Sequence, residues 1–244
     1  MGKGYMGKIL WVDLDQGELK DEQIPEGLYK KFLTGYGLGA KLLYDRIPPG
    51  ADPLGPDNLL GFMSGVLTGT GALFSGRFEV IAKSPLTRGW GDANCGGNLA
   101  PAIKQAGYDG ILFRGISPKP VYLFLSDDKA ELRDASSLWG KDAVETEAQL
   151  KSELEGRIRV ACIGPAAEKL SLISGISNDG GRYAARSGLG AVMGSKKLKA
   201  IAITGKHKIE SARPEEVKQL SKEFGKALNR RDIMQKFLGS RLVS

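Results

Sequence analysis

Apolar and polar positions alternate from the start of the chain. In KILWVDLDQGELKDEQI, Ile9, Trp11 and their apolar neighbours step with a period of two, and Asp15-Gln16-Gly17 supplies a turn, which predicts a β-hairpin. EGLYKKFLTG and LGAKLLYDRI change to a helical spacing, with Gly35 and the Pro48-Pro49 pair as stops. NLLGFMSG and GRFEVIAKS read as strands, and NCGGNLAPAIKQAGYDGILFRG as a glycine-rich turn, a short helix and a strand. PVYLFLSDDKAELRDA predicts a second hairpin, turning near Asp127-Asp128. KDAVETEAQLKSELEG predicts an amphipathic helix with Val144, Ala148 and Leu150 on its apolar side and Gly156 as its stop. RIRVACIG and KLSLISGIS read as strands. RYAARSGLGAVMGSKKLKAIAITG repeats the turn–helix–strand plan, and SARPEEVKQLSKEFGKALNRRDIMQKFLGSRL opens with Pro214 at a helix start and stays helical.

Two of these segments align with each other. Residues 95–115 and 185–205 have equal length, with Leu99 opposite Leu189, Ile111 opposite Ile201, and Gly115 opposite Gly205. The shared plan is a glycine-rich entry, a short apolar helix, an apolar strand and a terminal glycine. This reads as an internal duplication within an α+β fold, against the alternative of two common units alike by chance. A duplication would bring two equivalent loops near a shared axis and suit a ligand with two similar halves.

Composition narrows the partners. The 244 residues are 41% hydrophobic and 26% charged, ordinary values for a globular chain able to bury a core. The formal net charge of +7 suits an anionic partner or a merely basic surface. Aromatics are 7% and are not interleaved with a basic stripe, so nucleic acid is not an expected partner. No stretch approaches the roughly 18 apolar residues of a membrane span, and no signal-peptide core is visible, so a membrane is not expected either. Cys95 and Cys162 form no CxxC pair and fit a reducing cytoplasm. Two cysteines cannot supply the four thiolates usual for a [4Fe-4S] cluster.

The candidate chemistry lies in the glycine-rich turns. His207, the one histidine, sits between two lysines and reads as a surface residue; no zinc, HExxH or EF-hand pattern occurs. GYGLGAK follows a helical segment and reads as a helix–helix turn, since a dinucleotide-binding turn must follow a strand. SGLGAVMGSKK follows a strand and opens a helix, with Arg182 and Arg186 flanking it. Close backbone N–H groups and arginine forks favour an anion there, over a packing motif with solvated arginines. The earlier copy has parallel equipment in Arg77, Lys83, Asn94, Gly96 and Gly97, and the Asn94 side-chain carbonyl is a candidate Mg2+ ligand. Cys95 reads as a small buried thiol more readily than as a metal ligand.

The long motifs carry a resemblance. GVLTGTGALFSGRFEVIAKSPLTRGWGDANCGGNLAPAIKQAGYDGILFRG, ELRDASSLWGKDAVETE, ACIGPAAEKL and NDGGRYAARSGLGAVMGSKKLKAIAITG, in that order from about Gly7 to Gly205, resemble the N-terminal domain of the aldehyde:ferredoxin oxidoreductase family. The resemblance implies two β-sheets with short helices, forming a base on which a paired pterin lies. It implies a tungsten, or molybdenum, bis-pterin cofactor with Mg2+ bridging the pterin phosphates. It implies oxidation of aldehydes to carboxylic acids, with ferredoxin as electron acceptor and a [4Fe-4S] cluster that this chain does not ligate.

By the same resemblance, Arg77, Asn94 and Gly96 form a first set of cofactor contacts, and Arg182, Tyr183, Ala184, Arg186 and Gly188 a second. Mg2+ falls to Asn94 and to the backbone carbonyl of Tyr183. Cys95 stands where a serine-like residue is common, Gly181 where a histidine is frequent, and Ser187 where a glycine is frequent, which points to a different substrate branch. Residues 1–208 are expected to form the cofactor-cradling domain and residues 209–244 the start of a helical region. Family enzymes continue well beyond this length, so the expected partner is the missing C-terminal part or a companion subunit. The alternative is a non-catalytic phosphate-ligand-binding or assembly module of a split complex.

Overall fold

The structure is a computed structural model that describes residues 4–127 and 129–229. The first half runs β1 (Lys8–Asp13), β2 (Glu18–Gln23), α1 (Glu26–Phe32), α2 (Tyr36–Arg46), β3 (Leu60–Ser64), β4 (Phe78–Lys83), β5 (Trp90–Cys95), α3 (Leu99–Gln105) and β6 (Gly110–Arg114). The second runs β7 (Val121–Ser126), β8 (Lys129–Asp134), α4 (Ala143–Glu153), β9 (Arg159–Cys162), α5 (Pro165–Glu168), β10 (Ile176–Asn178), β11 (Arg182–Ala184), α6 (Leu189–Ser195) and β12 (Leu198–Thr204). A final helix, α7, spans Pro214–Asn229.

The duplication is visible in the strand order. One six-stranded sheet runs β2-β1-β6-β3-β4-β5 and the other runs β8-β7-β12-β9-β10-β11. The strands correspond one to one, and so do their directions. β1 and β6 pair parallel, as do β7 and β12, while every other neighbouring pair in both sheets is antiparallel. The aligned leucines, Leu99 and Leu189, each open the seven-residue helix of their half.

Period-two alternation divides each strand between two apolar layers. On β1, Leu10 and Val12 join the core between the sheets, while Ile9 and Trp11 face outward onto α1 and α2. On β12, Ile201 and Ile203 face inward, and Ala200 and Ala202 face α4. Helices therefore cover both outer faces, and the central strands read as near-continuous apolar runs because both of their faces are buried. Between the sheets, α3 touches β3 and β6 of its own half and β9 and β12 of the other; α6 touches β12 and also β3, β4 and β5. Each half's inner helix thus packs on the other half's sheet.

Several expectations need correction. Val144 and Ala148 are exposed, and α4 buries Ala143, Thr146 and Glu147 alongside the expected Leu150. Two of those buried positions are polar but satisfied: Thr146 donates to the Asp142 carbonyl at 2.7 Å, and Glu147 pairs with Lys151. Hydrophobicity alone therefore found Leu150 and misplaced Val144 and Ala148. Of KLSLISGIS only Ile176 and Ser177 are strand, in β10; the preceding residues turn, with Leu170 in a left-handed conformation and Ile173 exposed. In GYGLGAK only Gly35 (φ 60°) makes the turn. Gly37 and Gly39 lie inside α2, where a Cβ would meet Phe32 O at 2.2 Å and Ile81 Cδ1 at 2.5 Å. The helix expected after Pro214 is described to Asn229; its expected continuation, and Asp128 of the second hairpin turn, lie outside the described residues. Among the described residues no helix is long and apolar enough to cross a membrane.

Candidate functional site

β5 and β11 are the last strands of their respective sheets, and the two edges lie against each other. This places the expected second-half residues beside the first-half ones. Asn94 and Cys95 belong to the end of β5, a strand the apolar pattern did not predict because Gly91, Asp92 and Asn94 interrupt it. The seam is stitched by hydrogen bonds. Ser187 Oγ donates to Asp92 O at 3.1 Å, Ser84 Oγ donates to Ser187 O at 2.9 Å, and Asn178 Nδ2 donates to Cys95 Sγ at 3.1 Å.

Arg77 and Asn94 face solvent across the β4–β5 ladder. Arg77 donates from Nε to Asn94 Oδ1 and from Nη2 to the Asn94 main-chain carbonyl at 3.1 Å. Asn94 in turn donates from Nδ2 to Glu79, two residues along β4 on the same face as Arg77. Glu79 Oε2 is buried with no hydrogen-bond partner, and burial raises this carboxyl's pKa above the usual range, against the lowering effect of Asn94.

Arg182 approaches from the second half. A Cβ on Gly96 would lie 3.3 Å from Arg77 Nη1 and 3.7 Å from Arg182 Nη1, so the two guanidiniums flank this one glycine. Among the described residues neither arginine forms an ion pair with a carboxylate, although Asp179 and Glu79 are close by. The next residue, Gly97, has φ 124°, and a Cβ there would fall 2.5 Å from both Asn178 Oδ1 and Asp179 Oδ2. Only glycine lets the loops meet this closely. Asn178 is 1% exposed, and its Oδ1 likewise has no hydrogen-bond partner.

The structure therefore brings Arg77, Asn94, Gly96 and Arg182 together. Tyr183 and Arg186 continue the same exposed stretch, with Tyr183 52% exposed. Ala184 packs its methyl in the core. Gly188, left-handed at φ 69°, is buried at the start of α6, where a Cβ would meet Leu172 O and Pro85 Cγ at 2.8 Å. Gly190 and Gly194 abut Ser174 and the Ala167 carbonyl, so packing accounts for them. Cys95 is buried, as expected; desolvation raises its thiol pKa, while Asn178, Arg77 and Arg182 pull it down. Cys162 is pushed up to about 12, mainly by burial. An apolar hollow of about 1110 Å3 beside Tyr36, Tyr44 and Trp90 lies at the opposite end of β5.

Sequence reasoning passed over Glu79, Asn98, Asn178 and Asp179. The first shares a period-two face with Arg77; the last two open the turn Asn178-Asp179-Gly180-Gly181, a pattern that signals a tight, glycine-assisted reversal. Among the described residues no group of three or more His, Cys, Asp or Glu side chains could hold a metal ion.

The site fits an anion better than a bare cation. Two unpaired guanidiniums converge on main chain that carries no side chain, a geometry suited to phosphate oxygens. The Asn94 carbonyl oxygen accepts from Arg77, and its second lone pair is left for a cation beside that guanidinium.

Comparison with known proteins agrees with this architecture. The family model for the aldehyde ferredoxin oxidoreductase N-terminal domain matches residues 9–205. A tungsten-containing aldehyde ferredoxin oxidoreductase of Thermococcus kodakarensis is 49% identical over 210 residues, covering 86% of this chain and 35% of that protein. The aliphatic sulfonate oxidoreductase, WOR-like subunit, of Pyrococcus furiosus is 35% identical over 242 residues, covering 92% of this chain and 38% of that protein. A chain of the active site complex BamBC of benzoyl coenzyme A reductase, solved with 1,5-dienoyl-CoA, superposes with a TM-score of 0.92 at 41% identity, covering 96% of this chain and 36% of that one. The chain spans about a third of the length of these relatives. The duplicated sheets, the matched span and these identities together show that the chain belongs to the aldehyde ferredoxin oxidoreductase family, of which it carries the N-terminal domain.

Proposed function

We propose that this chain is the N-terminal part, or a subunit, of a tungsten or molybdenum bis-pterin oxidoreductase, and that its seam of edge strands cradles the pterin phosphates. The observation that carries this reading is the meeting of Arg77 and Arg182, one from each half and neither ion-paired, over Gly96. The two arginines would hold phosphate oxygens in charge-assisted hydrogen bonds, with Arg186 adding positive charge alongside. Gly96 and Gly97 would admit the ligand close to main chain, and Tyr183, Ala184 and Gly188 would contribute backbone only. Mg2+ would draw on the Asn94 side-chain oxygen and on the Tyr183 carbonyl.

When bound, the pterin-held metal supplies two-electron redox chemistry at the substrate carbon. The chain's own part is to bind and orient that group and to set the positive field around it. The proposed reaction is oxidation of an aldehyde to a carboxylic acid, with ferredoxin as acceptor. A [4Fe-4S] cluster, which this chain does not ligate, would belong to the companion polypeptide. Residues 1–208 form the cradle and residues 209–244 open the helical region that follows, in a protein acting in the cytoplasm. The neighbours named for an aliphatic sulfonate and for a dienoyl-CoA keep the substrate class wider than aldehydes.

The test is to co-produce the chain with the remaining polypeptide and measure tungsten, molybdenum and iron, together with pterin fluorescence after oxidation. Metal with two pterins per molecule is the expected result. A folded complex with neither would leave the alternative, a phosphate-binding assembly module.

A further inference from the structure

The turn between β10 and β11 carries Arg182, and it is held from three directions. Gly180 donates its main-chain N–H to Glu147 Oε2 of α4 at 3.0 Å. Arg159 of β9 lies 3.5 Å from Asp179 Oδ1. From the other half of the fold, Asn98 donates both its main-chain N–H and its side-chain Nδ2, the latter at 3.2 Å, to Asp179 Oδ2. The Asp179 side chain is 9% exposed, and its backbone is left-handed at φ 44°, a conformation aspartate accepts in tight turns.

Asn98 is one residue from Gly97, and a Cβ built on Gly97 would lie 2.5 Å from Asp179 Oδ2 and 3.3 Å from Arg182 Cδ. The grip of Asp179 on Asn98 therefore fixes the main chain that lies under Arg182. Arg77 is fixed separately, to Asn94 on β5. Two guanidiniums of like charge over one glycine repel each other and drift apart unless their backbones are pinned. Among the described residues, the Asp179 carboxylate is the one that bonds the loop after β5, through Asn98, while ion-pairing with β9 of its own half, through Arg159.

We propose that Asp179 is a positioning residue that, by gripping Asn98 across the boundary between the halves, sets the spacing of Arg182 from Arg77. The use of that spacing for a phosphate ligand rests on the function proposed above; the grip itself does not. A carboxylate that accepts two N–H donors from one residue while facing an arginine is charge-assisted and directional. The amide of Asp179→Asn keeps the size but loses the charge and half of the acceptor capacity.

The experiment uses the full chain, isotope-labelled, without ligand. The geometry predicts a proton–proton Overhauser effect between the Gly97 α-protons and the Arg182 δ-protons. Asp179→Asn should lose most of it, while effects from Leu99 to the core remain. Asn98→Ala, an exposed change that keeps the main-chain donor, should weaken it partially. A titration with inorganic pyrophosphate follows. Affinity should fall about tenfold in Asp179→Asn, and the coupling between Arg77→Ala and Arg182→Ala in a double-mutant cycle should vanish in that background. Full retention of the Gly97–Arg182 effect in a folded Asp179→Asn chain overturns the proposal. If that variant does not fold, full retention in Asn98→Ala overturns it. Failure of the unmodified chain to bind pyrophosphate overturns the phosphate reading, and the Overhauser comparison then decides the role of Asp179 on its own.

Discussion

Replacing Gly97 by alanine would put a methyl group where the two halves touch. The new Cβ would lie 2.5 Å from Asn178 Oδ1 and from Asp179 Oδ2, and 3.3 Å from Arg182 Cδ. A relaxed carbon–oxygen contact needs about 3.3 Å or more, so both oxygens must retreat by close to an ångström. Neither has room, because Asn178 is 1% exposed and the Asp179 side chain is 9% exposed and tied to Asn98 and Arg159. The backbone adds its own cost: φ 124° at Gly97 is a region L-residues rarely occupy. Overpacking costs about 1–3 kcal/mol and backbone strain of this kind about 1–3 kcal/mol, which gives about 4 kcal/mol for Gly97→Ala. For a chain of this size that is a fall in Tm on the order of 10 °C. Gly96→Ala is the control. Its Cβ would meet only the tips of Arg77 and Arg182, at 3.3 and 3.7 Å, so it should cost under about 1 kcal/mol and act on anion affinity instead. Urea unfolding and calorimetry of both variants, with a pyrophosphate titration, separate the two effects. Equal stability of Gly97→Ala and the unmodified chain would refute the seam geometry.

Arg77→Ala and Arg182→Ala should each lower pyrophosphate affinity, and metal content in the completed complex, about tenfold or more, while urea midpoints stay within about 0.5 kcal/mol of the unmodified chain; unchanged metal content in both would contradict the cradle. Stability should rise as pH increases from about 8 to about 9, because burial lowers Lys104 and Lys196 to about 8, and flatten above that as the Cys162 thiol, held up to about 12 by burial, resists ionisation in the folded chain. In that window the unfolded chain holds more protons than the folded one, so raising the pH favours folding, by on the order of a few kcal/mol in total. Lys196→Met should remove about half of that slope in urea midpoints measured between pH 7.5 and 9.5, and a flat profile would show that these lysines titrate normally. Asp142→Ala removes the cap that accepts from Glu145 N at 2.8 Å and should cost about 1 kcal/mol, read by thermal unfolding.

Much of the fold was legible because its central strands are buried on both faces and announce themselves as apolar runs. The duplication was legible for the same reason: Leu99 and Leu189 open equivalent helices, and Ile111 and Ile201 lie on equivalent strands. β5 and β11 were not legible. They are edge strands with polar faces, and what makes them strands is pairing with β4 and β10. The buried face of α4 was misread because Glu147 is satisfied by Lys151 and by Gly180 N–H, partners that a helical periodicity does not contain. At the site, the residue types were readable but their meeting was not. Arg77 and Arg182 looked like two loop arginines, and the clasp between Asp179 and Asn98 exists only once the sheets are packed.

The crossed arrangement of α3 and α6 has a consequence for how the chain is made. The ribosome releases β1 long before its parallel neighbour β6, and α3 emerges well before β9 and β12, the strands of the second sheet that it packs against. At about 5–20 residues per second, the first sheet waits many seconds with its inner face uncovered. Neither repeat closes alone, so a nascent chain halted in the linker after β6 would present a sticky apolar slab to chaperones rather than a finished half.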